Sequence, residues 1–478
     1  MTMQMKVSVL AMASALLASG CAVDTRPADM TVPALPAQWV AAGLATGAAG
    51  AVQEDWWRSF GSAELDALVE RARAQSHDLA AAVARVGQAE AVARAAGAAS
   101  WPALTGQLNA SREGRIDGHA SVAGTAYGTG LAASYEIDFW GRQRADREGA
   151  SASLQASVFD RDTVRLSVTA GVANAWLEAV SLRERAAIGE RQWRGAERLL
   201  ALVESRVRAG AALPLEQAQQ RGLVAAQRRS VEALRQASQA AETAVALLIG
   251  QAGGVAIGTA SLAALRVPSI DAGLPAELLV RRPDIARAEA RLVAAQADVA
   301  AARAALLPSV TLSAGISSGG ERLRHVWDNP VYALAVGLAA PIFDAGRLAA
   351  SRDQALAQRE ELLAGYRAAI VAAFGDTANA LNTLAGVDAQ ARAQADELAE
   401  AQRALTLAES RYRAGADTLL TLIDAQRTLY AAQDVAAQLR AQRLQASVAL
   451  YKALGGGWSR GASTVTAARA TAPTGVSP

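Results

Sequence analysis

The sequence predicts a mixed α and β membrane protein, built from two copies of one unit whose strand pairs must be shared among several chains to close a barrel. Three observations carry this. Arg206-Val-Arg-Ala-Gly210 is echoed by Arg411-Tyr-Arg-Ala-Gly415 at a shift of 205, which also carries Gly141-Arg142 onto Gly346-Arg347. A shift of 206 overlays Asp78 on Asp284 and Pro102 on Pro308. A period this long is no solenoid repeat, so each copy must hold a whole set of elements. Four runs of alternating apolar and small or polar residues recur at matching places, and proline-free stretches rich in Ala, Arg, Gln, Glu and Leu follow each pair.

The N-terminal residues 1–20 read as a secretory signal: Lys6, the apolar run Val7 to Ala18, then Ser19-Gly20 before Cys21. Cys21 is the only cysteine, and its placement resembles the lipobox of bacterial lipoproteins. That resemblance implies a lipid-bearing, acylated Cys21, and several acyl chains give a stable anchor at about 0.8 kcal/mol per buried methylene. Ala22, where an aspartate would signal inner-membrane retention, resembles outer-membrane sorting. Residues 21–75 are expected to form an N-terminal extended, equatorial segment.

Composition excludes much chemistry. One cysteine leaves no disulfide and no thiolate cluster. His77, His119 and His325 lie in different predicted elements with no metal-ligand or acid–base spacing, so neither catalysis nor a cofactor other than the Cys21 lipid is expected. A net charge of +2 with mixed signs gives no patch for nucleic acid. After the signal peptide no apolar stretch reaches the roughly 20 residues of a membrane helix, so any crossing falls to strands.

The first repeat, 76–270, is predicted to run helix (about 76–100), strands (about 103–112 and 126–138), helix (142–209), helix (214–249). The second, 271–457, runs helix (about 284–307), strands (309–318 and 331–342), helix (346–414), helix (418–454). Leu104 to Ser111, Tyr127 to Ile137 and Val310 to Ser317 alternate with period two, and Tyr332, Leu334, Val336, Leu338, Ala340 and Ile342 line one face of the fourth run. That is the length and pattern of a transmembrane strand, or of a half-buried strand in a soluble sandwich. Strand number decides: four cannot close a membrane barrel, whose smallest single-chain bacterial form has eight, so several copies must share one. The linkers 113–126 and 319–331 are Gly-rich and polar, as external loops would be.

The long helices carry heptad ladders: Leu363, Ile370, Thr377, Leu384, Ala391, Leu398, Leu405, Tyr412, and 205 earlier Val158 to Val207, broken only by Thr377 and Arg165. Such a repeat winds helices into a left-handed supercoil, and a helix over 142–209 would run roughly 100 Å at 1.5 Å per residue. Each ends in Arg-x-Arg-Ala-Gly, whose glycine suits a left-handed cap, and a second helix returns after Pro214 or after Asp417 or Thr418. The tail 458–478 is expected to be disordered.

Together these features resemble the trimeric outer membrane factors, the TolC-like exit ducts, in their lipoprotein branch that serves resistance-nodulation-division pumps. The residues carrying the likeness are Trp56-Trp57-x-x-Phe60 with Leu65 and Leu68, Tyr135-Glu-Ile-Asp-Phe-Trp-Gly141, Arg282-Pro-Asp-Ile285, Pro341-Ile-Phe-Asp-x-Gly346, and Tyr412-Arg-x-Gly415 with Leu422-Ile-Asp-Ala-Gln426. The resemblance implies a homotrimer with a twelve-stranded barrel in the outer membrane, continued by an α-helical barrel in the periplasm. It implies passive conduction, with an inner-membrane pump and a periplasmic adaptor as partners and drugs or other toxic small molecules as cargo. Leu420 and Asp424 match positions that ring the trimer axis as a gate, Tyr412 and Arg427 match positions whose bonds hold the hairpins inward, and Asp417 serves either the gate or a helix cap. The adaptor would dock on the turns Arg208, Ala209, Gly210, Ala211 and Arg413, Ala414, Gly415, Ala416. Two other readings stay open: a channel for secreted proteins or metal ions, and a lipid-anchored periplasmic coiled-coil scaffold. The scaffold would share the lipobox and ladders without needing four strands with Tyr127, Tyr135 and Tyr332 near their ends.

Overall fold

The computed structural model describes residues 33, 36–39, 52–117, 119 and 124–461. Their main elements are helices α1 (Ala63–Gln75) and α2 (His77–Ala98), strands β1 (Ala103–Arg112) and β2 (Thr125–Ile137), and helices α3 (Arg142–Arg208) and α4 (Pro214–Leu248). The second copy follows as α5 (Pro283–Ala304), β3 (Ser309–Gly320), β4 (Val331–Ala339), α6 (Arg347–Arg413) and α7 (Leu419–Ala453). The copies match in length: α2 and α5 have 22 residues each, α3 and α6 have 67, α4 and α7 have 35. The slip from 206 to 205 falls at the strand-to-helix junction. There Asp138-Phe-Trp-Gly141 is shortened to Asp344-Ala-Gly346, and Ala345 is forced to φ +55°. Both aspartates cap the helix that follows, Asp138 accepting from the N–H groups of Gln143 and Arg144, Asp344 from those of Gly346 and Leu348.

The chain divides into two compact units. The first contains the antiparallel sheet, in the order β1-β2-β3-β4. Its register, with Leu108 opposite Thr129, Leu131 opposite Ile316 and Leu312 opposite Val336, sets the apolar residues of all four strands on one face. They are not covered: Leu108 is 88% exposed, Leu334 76% and Leu338 73%. The other face carries Gln107, Asn109, Ser134, Thr311, Ser313 and small residues. Water would not tolerate such a face on a soluble sandwich, whereas lipid favours it. β1 and β4 are edge strands, each with one row of unpaired backbone groups. The fourth strand ends at Ala339 and not near Ile342, because Pro341 has no N–H to give a ladder.

The second unit is helical, with a core where Trp56, Trp57 and Phe60 meet Leu65 and Leu68 of α1, Trp176 and Leu177 of α3, and Val448 and Tyr451 of α7. Of the segment 21–75, much of 21–51 lies outside the described residues, and the described part is not simply extended. Trp56–Phe60 is a helical turn and Ala63–Gln75 an α-helix, capped by Ser62, because their apolar residues cluster on one buried face. Trp56 stacks on Tyr451 with 5.0 Å between ring centroids. Trp458 is likewise no part of a disordered tail: it is buried, meets Phe159 edge to face and donates from its indole N–H to Asp162 at 2.9 Å. No residue of either heptad ladder is exposed. Of the two that break the apolar rule, Thr377 donates to the Ala373 carbonyl, and Arg165 pairs with Glu54 at 3.1 Å. Among the described residues no helix is long and apolar enough to cross a membrane.

Candidate functional site

Both long helices end in the same backbone turn, and each turn is built by its glycine. Gly210 stands at φ +71° and Gly415 at φ +73°, conformations that a side chain strains. The Gly210 N–H then donates to the Val207 carbonyl at 3.0 Å and that of Ala211 to Arg206 at 2.8 Å. Gly415 and Ala416 repeat the pattern on Tyr412 and Arg411 at 3.1 and 2.9 Å. This is a Schellman closure, and it satisfies the polar groups of the turn internally. Arg208, Ala209, Gly210 and Ala211, and likewise Arg413, Ala414, Gly415 and Ala416, are left exposed as two tips, each an arginine followed by three small residues.

After the shared glycine the copies diverge. In the first, Leu213 precedes Pro214, and Glu216 reaches back to the Leu213 N–H at 3.0 Å. In the second, Thr418 is the N-cap, and Asp417 accepts from the Thr418 N–H and the Thr421 hydroxyl at 2.8 Å each and from Arg411 at 3.1 Å. The Thr418 N–H, followed by Thr421 and Arg411, holds the Asp417 carboxyl below the usual range. Asp417 is thus occupied as a cap of its own turn.

The bridges across the hairpins differ as well. Glu204 on α3 accepts from Arg221 at 2.8 Å and Gln217 at 3.3 Å, both on α4. Its counterpart Glu409 pairs instead with Arg413 at 3.0 Å, one turn away on the same helix.

The two hairpins are joined to one another along α3 and α7. Arg185 forks onto Asp434 at 2.7 and 3.0 Å, and Gln192 meets Gln433 at 2.9 Å. The Tyr430 hydroxyl donates to the Gln192 carbonyl at 3.1 Å. Nearest the tips, the Arg206 guanidinium lies 4.7 Å from the ring centre of Tyr412 and donates to the Tyr412 carbonyl at 3.3 Å. A partly buried cation–π contact of this kind contributes about 1 kcal/mol. Burial pushes the Tyr412 phenol pKa up, with Arg206 pulling the other way. Tyr412 therefore sits in an inter-hairpin link.

Leu420, Asp424 and Arg427 form a separate group. Their spacing places them along one stripe of α7, all three are exposed, and neither charged side chain has a partner among the described residues. Arg427 makes no bond of the kind its position implies within one protomer. The linking residues Arg185, Gln192 and Arg206 escape sequence reasoning, because their partners lie more than 200 positions away. Arg206 alone had a signal, its place in the repeated word.

A sheet with one lipid-compatible face and open edges, joined in one chain to paired helical hairpins with closed tips, defines a membrane channel subunit. Residues 68–251 and 274–456 each match the family model described as outer membrane efflux protein, and the chain belongs to that family. It is 49% identical over 454 residues to the pyoverdine export outer membrane protein OpmQ of Pseudomonas aeruginosa, covering 93% of this chain and 95% of that one. It is 30% identical to the cation efflux system protein CusC of Escherichia coli, over 93% and 98% of the two chains. Among solved structures, one of CusC superposes with a TM-score of 0.81 at 29% identity, covering 89% of this chain and 98% of that one. The protein is an outer membrane efflux channel and not an enzyme, which removes the scaffold reading.

Proposed function

We propose that three copies of this chain close one twelve-stranded barrel and form the exit duct of a pump-linked export machine, with a soluble small molecule of the siderophore class as cargo. The observation carrying the cargo is the 49% identity to a pyoverdine export protein along almost the whole of both chains. Matches named for solvent or cation efflux stand near 30%, so we set siderophore-class export ahead of the drug-efflux expectation. Closure is supported by the free edges of β1 and β4, which satisfy one another when β4 of one protomer meets β1 of the next. Cys21, which lies outside the described residues, would carry the acyl chains that anchor the chain to the outer membrane.

In this reading the exposed stripe Leu420, Asp424 and Arg427 faces the axis as the gate, and the tips around Gly210 and Gly415 receive the periplasmic adaptor that links duct to pump. Small side chains permit the close approach, and the internally satisfied turns leave few polar groups to desolvate. The test is a deletion strain assayed for siderophore in medium and periplasm. Periplasmic accumulation reversed by the intact gene is expected. Unchanged release together with raised drug susceptibility would return the cargo to drugs.

A further inference from the structure

The four-stranded sheet leaves one pairing open, and the duplication specifies it. In the first copy Ala103 of β1 stands opposite Ser134 of β2, and in the second Ser309 of β3 stands opposite Ala339 of β4. The two strand pairs therefore share one register, with β3 in the place of β1 at a shift of 206 and β4 in the place of β2 at a shift of 205. The pairing of β2 with β3 joins the copies within a chain. Its equivalent is β4 against the β1 of a second chain, the two strands whose outer edges are open.

We infer that β4 meets the partner's β1 in the register that β2 and β3 already show. Carried over residue by residue, Ala133 opposite Ala314 becomes Leu338 opposite the partner's Leu108. Leu131 opposite Ile316 becomes Val336 opposite the partner's Ala110, and Ala132 opposite Gly315 becomes Gly337 opposite the partner's Asn109. Leu334 to Ala339 thus runs against the partner's Gln107 to Arg112. The inference rests on the closure proposed above and goes beyond it, because open edges alone demand a partner strand without choosing which residues face each other.

Properties of the strands that played no part in deriving the register agree with it. A slip of one residue would set the apolar face of β4 beside the polar face of β1. The carried register instead keeps Leu338 and Val336, each 73% exposed, on one face with Leu108, 88% exposed. On the other face it matches size. Asn109 already faces a glycine on its own chain, Gly128, where an added Cβ would collide with the Asn109 amide oxygen. Across the seam it faces a second glycine, Gly337, beside which the nearest atom of its own chain is the Thr311 carbonyl oxygen at 3.9 Å from an added Cβ. A slip of two residues keeps the faces but sets Gly337 against Gln107 or Ser111, and gives the seam a stagger unlike the one between the copies. Strands closing one barrel are linked in tilt and stagger, so equal steps from copy to copy close it evenly. Leucine against leucine and amide against glycine make the seam a surface that fits a second copy of this chain.

The test is oxidative cross-linking of the full-length protein in outer membranes. Leu338→Cys is combined with Leu108→Cys as the matched pair, and with Gly106→Cys or Ala110→Cys as pairs slipped by two. Val336→Cys with Ala110→Cys is a second matched pair, so poor assembly of one variant does not decide the outcome. Residues directly opposite have Cβ atoms about 4.5–5.5 Å apart, close to the span of a disulfide, against about 7–8 Å on the diagonal. Matched pairs should therefore give covalent dimers and trimers at least about tenfold faster than slipped ones. A slipped pair that links faster overturns the register and leaves the closed duct standing. No linking in any pair overturns the seam, and the same protein in planar bilayers then separates the two readings. Conduction keeps the duct with a different closure, and absence of conduction removes both.

Discussion

The two hairpin turns share the backbone hydrogen bonds that close around the glycine and almost none of the side-chain bonds on either side of it. Duplication preserved the Schellman closure at Gly210 and Gly415, which satisfies carbonyls left over at the end of a 67-residue helix. It did not preserve what ties each helix to its return partner. The first hairpin is stapled from α3 to α4 by Glu204 with Arg221 and Gln217, and its entry is stiffened by Pro214. The second has no such staple at the matching position; its nearest fastening is the small network of Asp417, Thr418, Thr421 and Arg411 inside the turn. On one lost charge and one redirected glutamate we propose that the first hairpin is the static arm and the second the moving one.

The sharpest way to break this contrast is to restore the missing staple. Gln426→Arg places a guanidinium opposite Glu409 as Arg221 stands opposite Glu204. If the second hairpin is the moving one, conductance through the protein in planar bilayers should fall several-fold, whereas Arg221→Gln in the first hairpin should change it little. Equal effects from the two would remove the distinction. Next in size, Asp424→Ala takes a carboxylate from each copy of the exposed α7 stripe, and in the proposed trimer three such charges about one axis would repel. A several-fold change in leak of a bulky solute, with lost sensitivity to divalent cations, is expected in the same bilayers. Unaltered conductance would move the gate elsewhere on α7.

What the sequence made legible follows physical range. Strand faces, heptad ladders and the Gly210 and Gly415 caps are local patterns, readable at periods of two and seven or from one residue's backbone needs. Errors fell where distant packing decides. Trp458 looked like the start of a tail because Asp162 and Phe159, which hold it, are about 300 positions away. Residues 56–75 looked extended because their helical face is short and finds its partner in Tyr451. Ile342 kept the strand's alternation, and only the missing N–H of Pro341 stopped it. Within the site, Leu420, Asp424, Arg427 and Tyr412 are legible through the family resemblance, but the Arg206 partner of Tyr412 is not, since cation–π partners carry no spacing rule.

The shared part of the comparison predicts equal responses. Gly210→Val and Gly415→Val each force a side chain into the left-handed region at a cost of about 1–2 kcal/mol. Because a Cβ at either glycine meets open space, strain and not collision is the whole effect. Local opening measured by hydrogen exchange at the two tips should rise by similar factors. A much larger effect at Gly415 would show that the first hairpin's staple, and not its turn, carries its stability.

The smallest expected effect concerns acid. Hydrogen bonds from Thr418, Thr421 and Arg411 depress the Asp417 pKa, so its contribution to holding the second turn is full above the unfolded value of about 3.9 and is lost as pH falls through the lower folded value. At neutral pH the fastening is intact. The first turn has Ala212 at the matching position, but it is not indifferent to acid, since Arg221 and Gln217 depress the Glu204 pKa in the same sense. A spin label at Ala416→Cys should therefore gain mobility below about pH 4, and Asp417→Asn should give that mobility already at neutral pH. A label at the equivalent Ala211→Cys should loosen less, because Pro214 remains when Glu204 is protonated. Because both acids are only partly buried, solvent screening keeps these shifts modest. A label at Ala416→Cys that stays fixed through the acid range would mean that Gly415 and the Thr418 cap hold the second turn without Asp417.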